Sequence, residues 1–321
     1  MGKKEEISMK KHVLGFTVLS VGMMLAACND GDDTGGTTEE TEGTVDVVAT
    51  IGQIGEPLSV IAGDLANVQT LMGPGVDPHV YEASQSDIRL FQEADLIFYN
   101  GLHLEAQLTD VFNGVDSNAY AIGETVDTGH LLEDEEEAGM DDPHIWFDVV
   151  LWEQALDSAV EELKEVLPEH ADELEENKQA YFNELDELYT YATDTIAQIP
   201  EEQRILVTAH DAFQYFGEMN DIDVMGIQGL STESEAGISD IQSTIDTIVE
   251  KEVPAVFVES SVNDSTVQAV IEGAQQAGHS IELGGELFSD AMGEEGTEEG
   301  TYIGMYRHNV DTIHSALTAS E

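Results

Sequence analysis

The chain has 321 residues, with 67 acidic and 10 basic side chains, a net charge of −57 and 41% hydrophobic residues. A charge of this sign and size repels nucleic acid and anionic lipid headgroups, while the apolar content excludes a wholly disordered chain. A single cysteine, Cys28, leaves no internal disulfide and no multi-thiolate metal site, so any bound metal has to be held by His, Asp, Glu or main chain.

Lys10 and Lys11, the apolar stretch 13–24 and Leu25-Ala26-Ala27-Cys28 form a secretory leader too short to span a membrane. Met9 opens this leader as well as Met1 does. The cysteine after small residues resembles a bacterial lipobox, which makes Cys28 the lipidated first residue of the exported protein. A plain leader with an incidental cysteine is the alternative. Residues 29–44, rich in Gly, Thr, Asp and Glu, cannot bury a core and read as a flexible acidic tether. The acidity itself reads as adaptation to high salt, where screening weakens self-repulsion.

Residues 45–51 are a short β-branched run and read as a buried strand. The pattern then predicts a helix over 53–65 and a strand over 68–72, closed by Gly73-Pro74-Gly75. A helix over 84–93 follows with Ser84 as its cap, then a strand at 95–99, a helix at 104–112 and a strand at 119–122. A carboxylate-rich loop, 131–142, leads into a helix over 149–167 that Pro168 stops. This loop reads as a solvated segment, with cation capture as the alternative. A second long helix is expected over 169–199, because Leu174, Tyr181, Leu185, Leu188, Ala192, Ile196 and Ile199 keep helical spacings. Strands at 204–208, 222–227, 255–258 and 280–283 then alternate with helices at 212–219, 238–250, 265–277 and 302–317. The expected fold is α/β, with two similar lobes, each a parallel sheet flanked by helices, joined by a long linking helix. The boundaries are 45–168, 169–199 and 200–321.

Asp77-Pro78-His79 recurs as Asp142-Pro143-His144. Proline fixes its own φ and holds the preceding residue extended, so each tripeptide is a stiff loop that aims an imidazole. His79 and His144 lie past strand ends in the first lobe, and His210 and Asp290 do so in the second. Ligands of open α/β sheets bind beyond the carboxyl ends of strands. Three imidazoles and one carboxylate make a full ligand set for a divalent transition ion. Only a folded cleft could assemble four residues so far apart in the chain. His103 and Glu259 are candidates for supporting a ligand, against simple packing or cleft-lining roles. Trp146 is expected to pack beneath His144. His130, His170, His279, His308 and His314 lack a strand-end context and read as surface residues.

The ordered motifs then carry a resemblance. They are Gly73-Pro74-Gly75-Val76-Asp77-Pro78-His79, Asn100-Gly101-Leu102-His103-Leu104-Glu105, Asp142-Pro143-His144-Ile145-Trp146, Thr208-Ala209-His210-Asp211-Ala212-Phe213, Val258-Glu259-Ser260-Ser261 and Phe288-Ser289-Asp290-Ala291-Met292. From Val45 onward the chain resembles the metal-receptor family of ABC-transporter solute-binding lipoproteins, and within it the manganese-type bacillar members. The resemblance implies a class III solute-binding arrangement of two lobes on a rigid helix, with one metal ion in the cleft as cargo. His79, His144, His210 and Asp290 fall on the family's four ligand positions. The implied ion is Mn2+, with Zn2+ as the alternative. The implied partners are a membrane permease and its ATPase. The implied setting is the outer membrane face of a Gram-positive-type cell, with the protein a monomer anchored through Cys28. Zinc-type relatives often carry a histidine-rich loop before the second histidine, and 131–142 has none. An adhesin with a structural metal is a competing reading. A metallohydrolase is another, opposed by the lipobox, the tether and the lack of a general-base motif.

Overall fold

The computed structural model describes residues 44–115, 118–133 and 139–318. The leader with Cys28, the tether up to residue 43 and the middle of the acidic loop, 134–138, lie outside these residues.

Val45, Val47 and Val48 open strand β1 (Val45–Ala49), where β-branched side chains suit a pleated, enclosed position. β1 lies between β2 (Ala66–Thr70) and β3 (Leu96–Tyr99), and β4 (Ala119–Ala121) pairs with β3. All three pairings are parallel, in the order β2-β1-β3-β4. Parallel neighbours need crossovers. Helix α1 (Gly52–Ala62) supplies the first and α2 (Gln85–Glu93) the second. The Ser84 hydroxyl accepts from the Asp87 N–H and the Asp87 carboxylate accepts from the Ser84 N–H, a complete capping box.

The helix expected over 104–112 is shorter than its sequence suggests. It is a 3-10 turn at Ala106–Leu108 followed by a single turn, α3 (Thr109–Phe112). The cause lies just before it. Gly101, Leu102 and His103 all take positive φ, at 78°, 51° and 68°. The buried Glu105 carboxylate holds this loop by accepting from the Asn100 and Gly101 N–H groups and from the Thr50 hydroxyl. A right-handed helix cannot start inside such a run.

Helices α4 (Val149–Val166) and α5 (Ala171–Ile196) run on from the first lobe, separated by a 3-10 turn at Pro168–His170. Lys178 of α5 is 5% exposed and reaches Asp157 of α4 at 2.6 Å and Glu175 at 2.8 Å. Lys164 of α4 pairs with Glu161 and Glu175. Two of the few basic side chains therefore clamp this helix pair.

The second lobe follows as β5 (Ile205–His210), α6 (Gln214–Asn220), β6 (Asp223–Gln228), α7 (Ile238–Lys251), β7 (Ala255–Glu259), α8 (Ser265–Gln276), β8 (Glu282–Leu287) and α9 (Tyr302–Thr318). The sequence predicts one sheet here. The hydrogen-bonded ladders instead form two parallel pairs, β5 with β6 and β7 with β8, with β5 and β7 side by side. At the ends of β5 and β7 a side chain does the bridging, because the Glu259 carboxylate takes the His210 N–H.

One apolar core is continuous through both lobes. It includes Leu58, Trp152, Leu185, Phe216, Phe257 and Tyr306. A second core, with Val207, Ile248, Val256 and Val270, fills the far side of the second lobe. Each such side chain contributes ~2 kcal/mol by leaving water. α9 packs along α5 and bonds back to the first lobe. The Tyr302 hydroxyl donates to the Trp146 carbonyl at 2.6 Å and the Tyr306 hydroxyl to the Phe147 carbonyl at 2.8 Å. Among the described residues no helix is long and apolar enough to cross a membrane.

Candidate metal centre

His79 stands in the loop after β2, and its N–H donates to Asp77 Oδ1 at 2.9 Å. His144 follows the acidic loop. Asp142 Oδ1 accepts its N–H at 2.9 Å and faces its Nδ1 at 2.7 Å. His210 is the last residue of β5, one step earlier than a position beyond the strand. Glu259, the last residue of β7, takes its N–H through Oε1 at 2.8 Å and faces its Nδ1 through Oε2 at 2.5 Å. For His144 and His210 one carboxylate thus grips both the main chain and the ring. A carboxylate on Nδ1 fixes the ring so that Nε2 is the free ligand atom. Asp290 lies in the loop after β8. The carbonyl of Ser289, its neighbour, accepts from Gln53 Nε2 at 3.1 Å and Trp146 Nε1 at 3.2 Å. Both donors come from the first lobe, so the second-lobe carboxylate is aligned by first-lobe side chains.

These four residues converge. One ligand atom from each of His79, His144, His210 and Asp290 lies within 4.8 Å of the others, and all four residues are buried. His144 Nε2 is 3.4 Å from Asp290 Oδ1, while His210 Nε2 and His79 Nε2 are 3.3 and 3.9 Å from Oδ2. The three rings sit 5.3–5.9 Å apart between centroids. The three Nε2 atoms and both Asp290 oxygens are buried without a well-formed hydrogen bond among the described residues. Buried polar atoms are ordinarily paired, and five orphans facing one point fit a cation among them. The donor set, three imidazole nitrogens and a carboxylate, is that of a transition ion rather than Mg2+ or Ca2+.

The electrostatics are arranged for displacement. Burial pulls the His79 imidazole down to about 3, more than Asp290 restores, so it stays neutral. Burial also opposes charge on His144, but Asp142 and Asp290 outweigh it and lift this ring to about 9. His210 is likewise desolvated, and Glu259 with Asp290 raises it well above the ordinary range. Burial works against the Asp290 carboxylate, yet His210 and His144 hold its pKa well below the ordinary range. Without metal the centre therefore carries imidazolium protons that a metal ion has to replace.

The other candidates divide. Glu259 supports His210 directly. Trp146 packs edge-on against His144, with ring centroids 5.2 Å apart, and also holds Ser289. His103 is exposed and lines the cleft mouth. The buried residue of its motif is Glu105, two positions on. Of the histidines expected at the surface, His130 is exposed, while His279 and His308 are half-buried against the Val253 and Glu286 carbonyls. The sequence reading missed Asp142, Asp77 and Gln53. The repeated tripeptide already held the clue to the first two, since each histidine has an aspartate two residues before it.

A cleft of about 750 Å3 opens beside His79. Asp141, Asp211, Glu233, Glu235 and Asp240 line it with His103, and among the described residues no Lys or Arg does so. The close pass of β6 beneath it requires glycine at Gly226, where a Cβ would lie 2.5 Å from the Asp211 nitrogen.

The chain as a whole is similar to known proteins. The family described as zinc-uptake complex component A, periplasmic, matches residues 47–316. The chain is 43% identical over 302 residues to the manganese-binding lipoprotein MntA of Bacillus subtilis, covering 94% of this chain and 97% of that protein. It is 44% identical over 273 residues to the zinc-binding protein TroA of Treponema pallidum, covering 84% of this chain and 88% of that protein. The solved structure of the periplasmic zinc-binding protein TroA from Treponema pallidum superposes with a TM-score of 0.84, covering 86% of this chain and 99% of that one.

Proposed function

The chain belongs to the zinc-uptake complex component A family, and we propose that it is the metal-capturing lipoprotein of an ABC importer. It takes a divalent transition ion, Mn2+ first and Zn2+ as the alternative, into the cleft between its lobes and delivers it to a membrane permease driven by an ATPase. The observation that carries this reading is the set of five buried, unpaired atoms on His79, His144, His210 and Asp290 that face one point. Each histidine supplies its Nε2 atom and Asp290 its carboxylate. Two features favour Mn2+. Both Asp290 oxygens face imidazole nitrogens, which suits a bidentate carboxylate and a coordination number above four. A relative named for manganese matches 94% of the chain. Raw affinity would favour Zn2+, so preference has to come from geometry and supply.

In this reading residues 45–168 and 200–321 are the two lobes and 169–199 is the link. The protein works as a monomer, held at the outer membrane face by lipid on Cys28 and the tether 29–44. It binds without turnover, as a cargo carrier of this family does, with the ion enclosed by protein ligands.

Metal titration tests the site. The wild type should bind one ion per chain. Asp290→Ala and His210→Ala should each lose more than the roughly 10–100-fold that follows removal of an outer partner. Unchanged affinity in both variants would sink the assignment. Metal content after chelator-free purification, with Mn2+ and Zn2+ in competition, decides the ion. Retention of zinc alone would move the function to zinc uptake.

A further inference from the structure

We propose that Asp77 and Thr232 form a front latch on the cleft, which ties His79 to the second lobe and sets how fast the metal ion leaves. This rests on the metal-capture reading above. The Asp77 carboxylate does two things at once. Oδ1 accepts the His79 N–H at 2.9 Å, and Oδ2 accepts the Thr232 hydroxyl at 2.5 Å. Thr232 belongs to the segment between β6 and α7, on the opposite lobe. Gln228, the last residue of β6, shapes that segment by donating to the Thr232 carbonyl at 3.1 Å and the Ser234 carbonyl at 2.7 Å. Gln228 is also the ladder partner of His210. A short chain of contacts therefore runs around the mouth from one ligand to another: His210, Gln228, Thr232, Asp77, His79.

The two sides of the cleft are bonded unequally. Away from the mouth, the lobes are joined by buried contacts. Gln53 and Trp146 hold Ser289, Tyr302 and Tyr306 hold the carbonyls beside His144, and the Tyr215 hydroxyl donates to the Asp142 carbonyl at 3.0 Å. Across the mouth, among the described residues, the side-chain links are Asp77–Thr232 and Gln107–Glu233. The second joins exposed groups, and both end on the same segment. A side held by few bonds, one exposed and one half-buried, opens at the least cost. Opening there breaks the bond that Asp77 shares with the His79 loop, so departure of the lobe and loosening of this ligand become one event.

The test is metal release from the full chain. Wild type, Thr232→Val and Thr232→Ser are loaded with Mn2+, and dissociation is followed by stopped flow into excess chelator. Valine keeps the shape and removes the donor, while serine keeps the hydroxyl. Release from Thr232→Val should be roughly tenfold faster, the worth of one hydrogen bond to a charged acceptor. Thr232→Ser should release within about twofold of wild type, since the same bond is retained. Equal release from Thr232→Val and wild type overturns the latch and leaves the metal site standing. Faster release from both variants alike also overturns it, because the hydroxyl is then irrelevant. Failure of the wild type to load overturns the capture reading and the latch together. A cooperative melt of each metal-free variant, as in wild type, shows that a difference in release comes from the latch rather than from misfolding.

Discussion

The Nδ1 atoms of His144 and His210 each rest on a buried carboxylate, Asp142 and Glu259, and this contact should make metal entry depend on pH. The carboxylates, with Asp290, hold both rings protonated in the metal-free protein, His144 up to about 9. Metal needs the neutral rings. Binding at pH 7 should therefore release about two protons per ion, seen as acid on titration in weak buffer, and affinity should fall as pH falls. Release of none would contradict this charge state. Stability of the metal-free form follows the opposite course. A histidine raised from 6.5 to about 9 in the fold contributes fully below 6.5, and that contribution is lost as pH climbs through 9. Asp211, raised to about 6 chiefly by burial, and Glu153, raised to about 7 for the same reason, act in the same direction but at lower pH, where His79, pulled down to about 3, acts against them. Thermal melts of metal-free protein should drop between pH 6.5 and 9. Glu259→Gln should cost roughly 10–100-fold in metal affinity, read by calorimetry, because glutamine keeps one acceptor oxygen for the two donors, main chain and ring, that the carboxylate takes from His210. Affinity within twofold of wild type would mean that the strand ends alone orient His210. His79, His210 and Asp290 were legible in the sequence because each follows or ends a strand, whereas His144 follows the acidic loop rather than the strand its sequence context suggested, and was legible through the stiff tripeptide it shares with His79. Their supports were less so. Gln53 reaches Ser289 across 236 residues of chain, a contact that no local pattern encodes.

At the scale of elements, α4 and α5 show what patterning can and cannot deliver. Pro168 predicts the end of the first helix correctly, since it bars the residue before it from helical geometry. The apolar stripe of α5 is buried as its spacing requires, at Leu174, Tyr181, Leu185, Leu188, Ala192 and Ile196. The expected helix over 104–112 failed because its shape is set by Glu105 bonding to Thr50, 55 residues away. The split of the second sheet was equally hidden, because a run of apolar residues reads as a strand whatever its ladder partner. The clamp between α4 and α5 gives a direct test. Lys178→Met keeps the packing stem and removes the charge. Its partners Asp157 and Glu175 are about half exposed, so the loss should be only about 1 kcal/mol, read in thermal or denaturant unfolding. That loss should shrink in molar salt. A loss unaffected by salt would show that stem packing, not charge, joins the helices.

Over the whole molecule, a net charge of −57 makes the compact state repel itself. Screening at a Debye length of about 3 Å in 1 M salt should raise the melting temperature steadily from low salt, the reverse of the local effect at Lys178. A flat response would mean that the carboxylates are spaced widely enough not to interact. The same distribution acts on what reaches the cleft. Its mouth is lined by Asp141, Asp211, Glu233, Glu235 and Asp240, with no Lys or Arg among the described residues. A bare aqua ion is drawn toward such a mouth, whereas the same ion wrapped in citrate or phosphate arrives as an anion and is turned away. Electrostatics of this sign would favour a free aqua cation over its anionic chelates at low salt, and molar salt would screen that preference away.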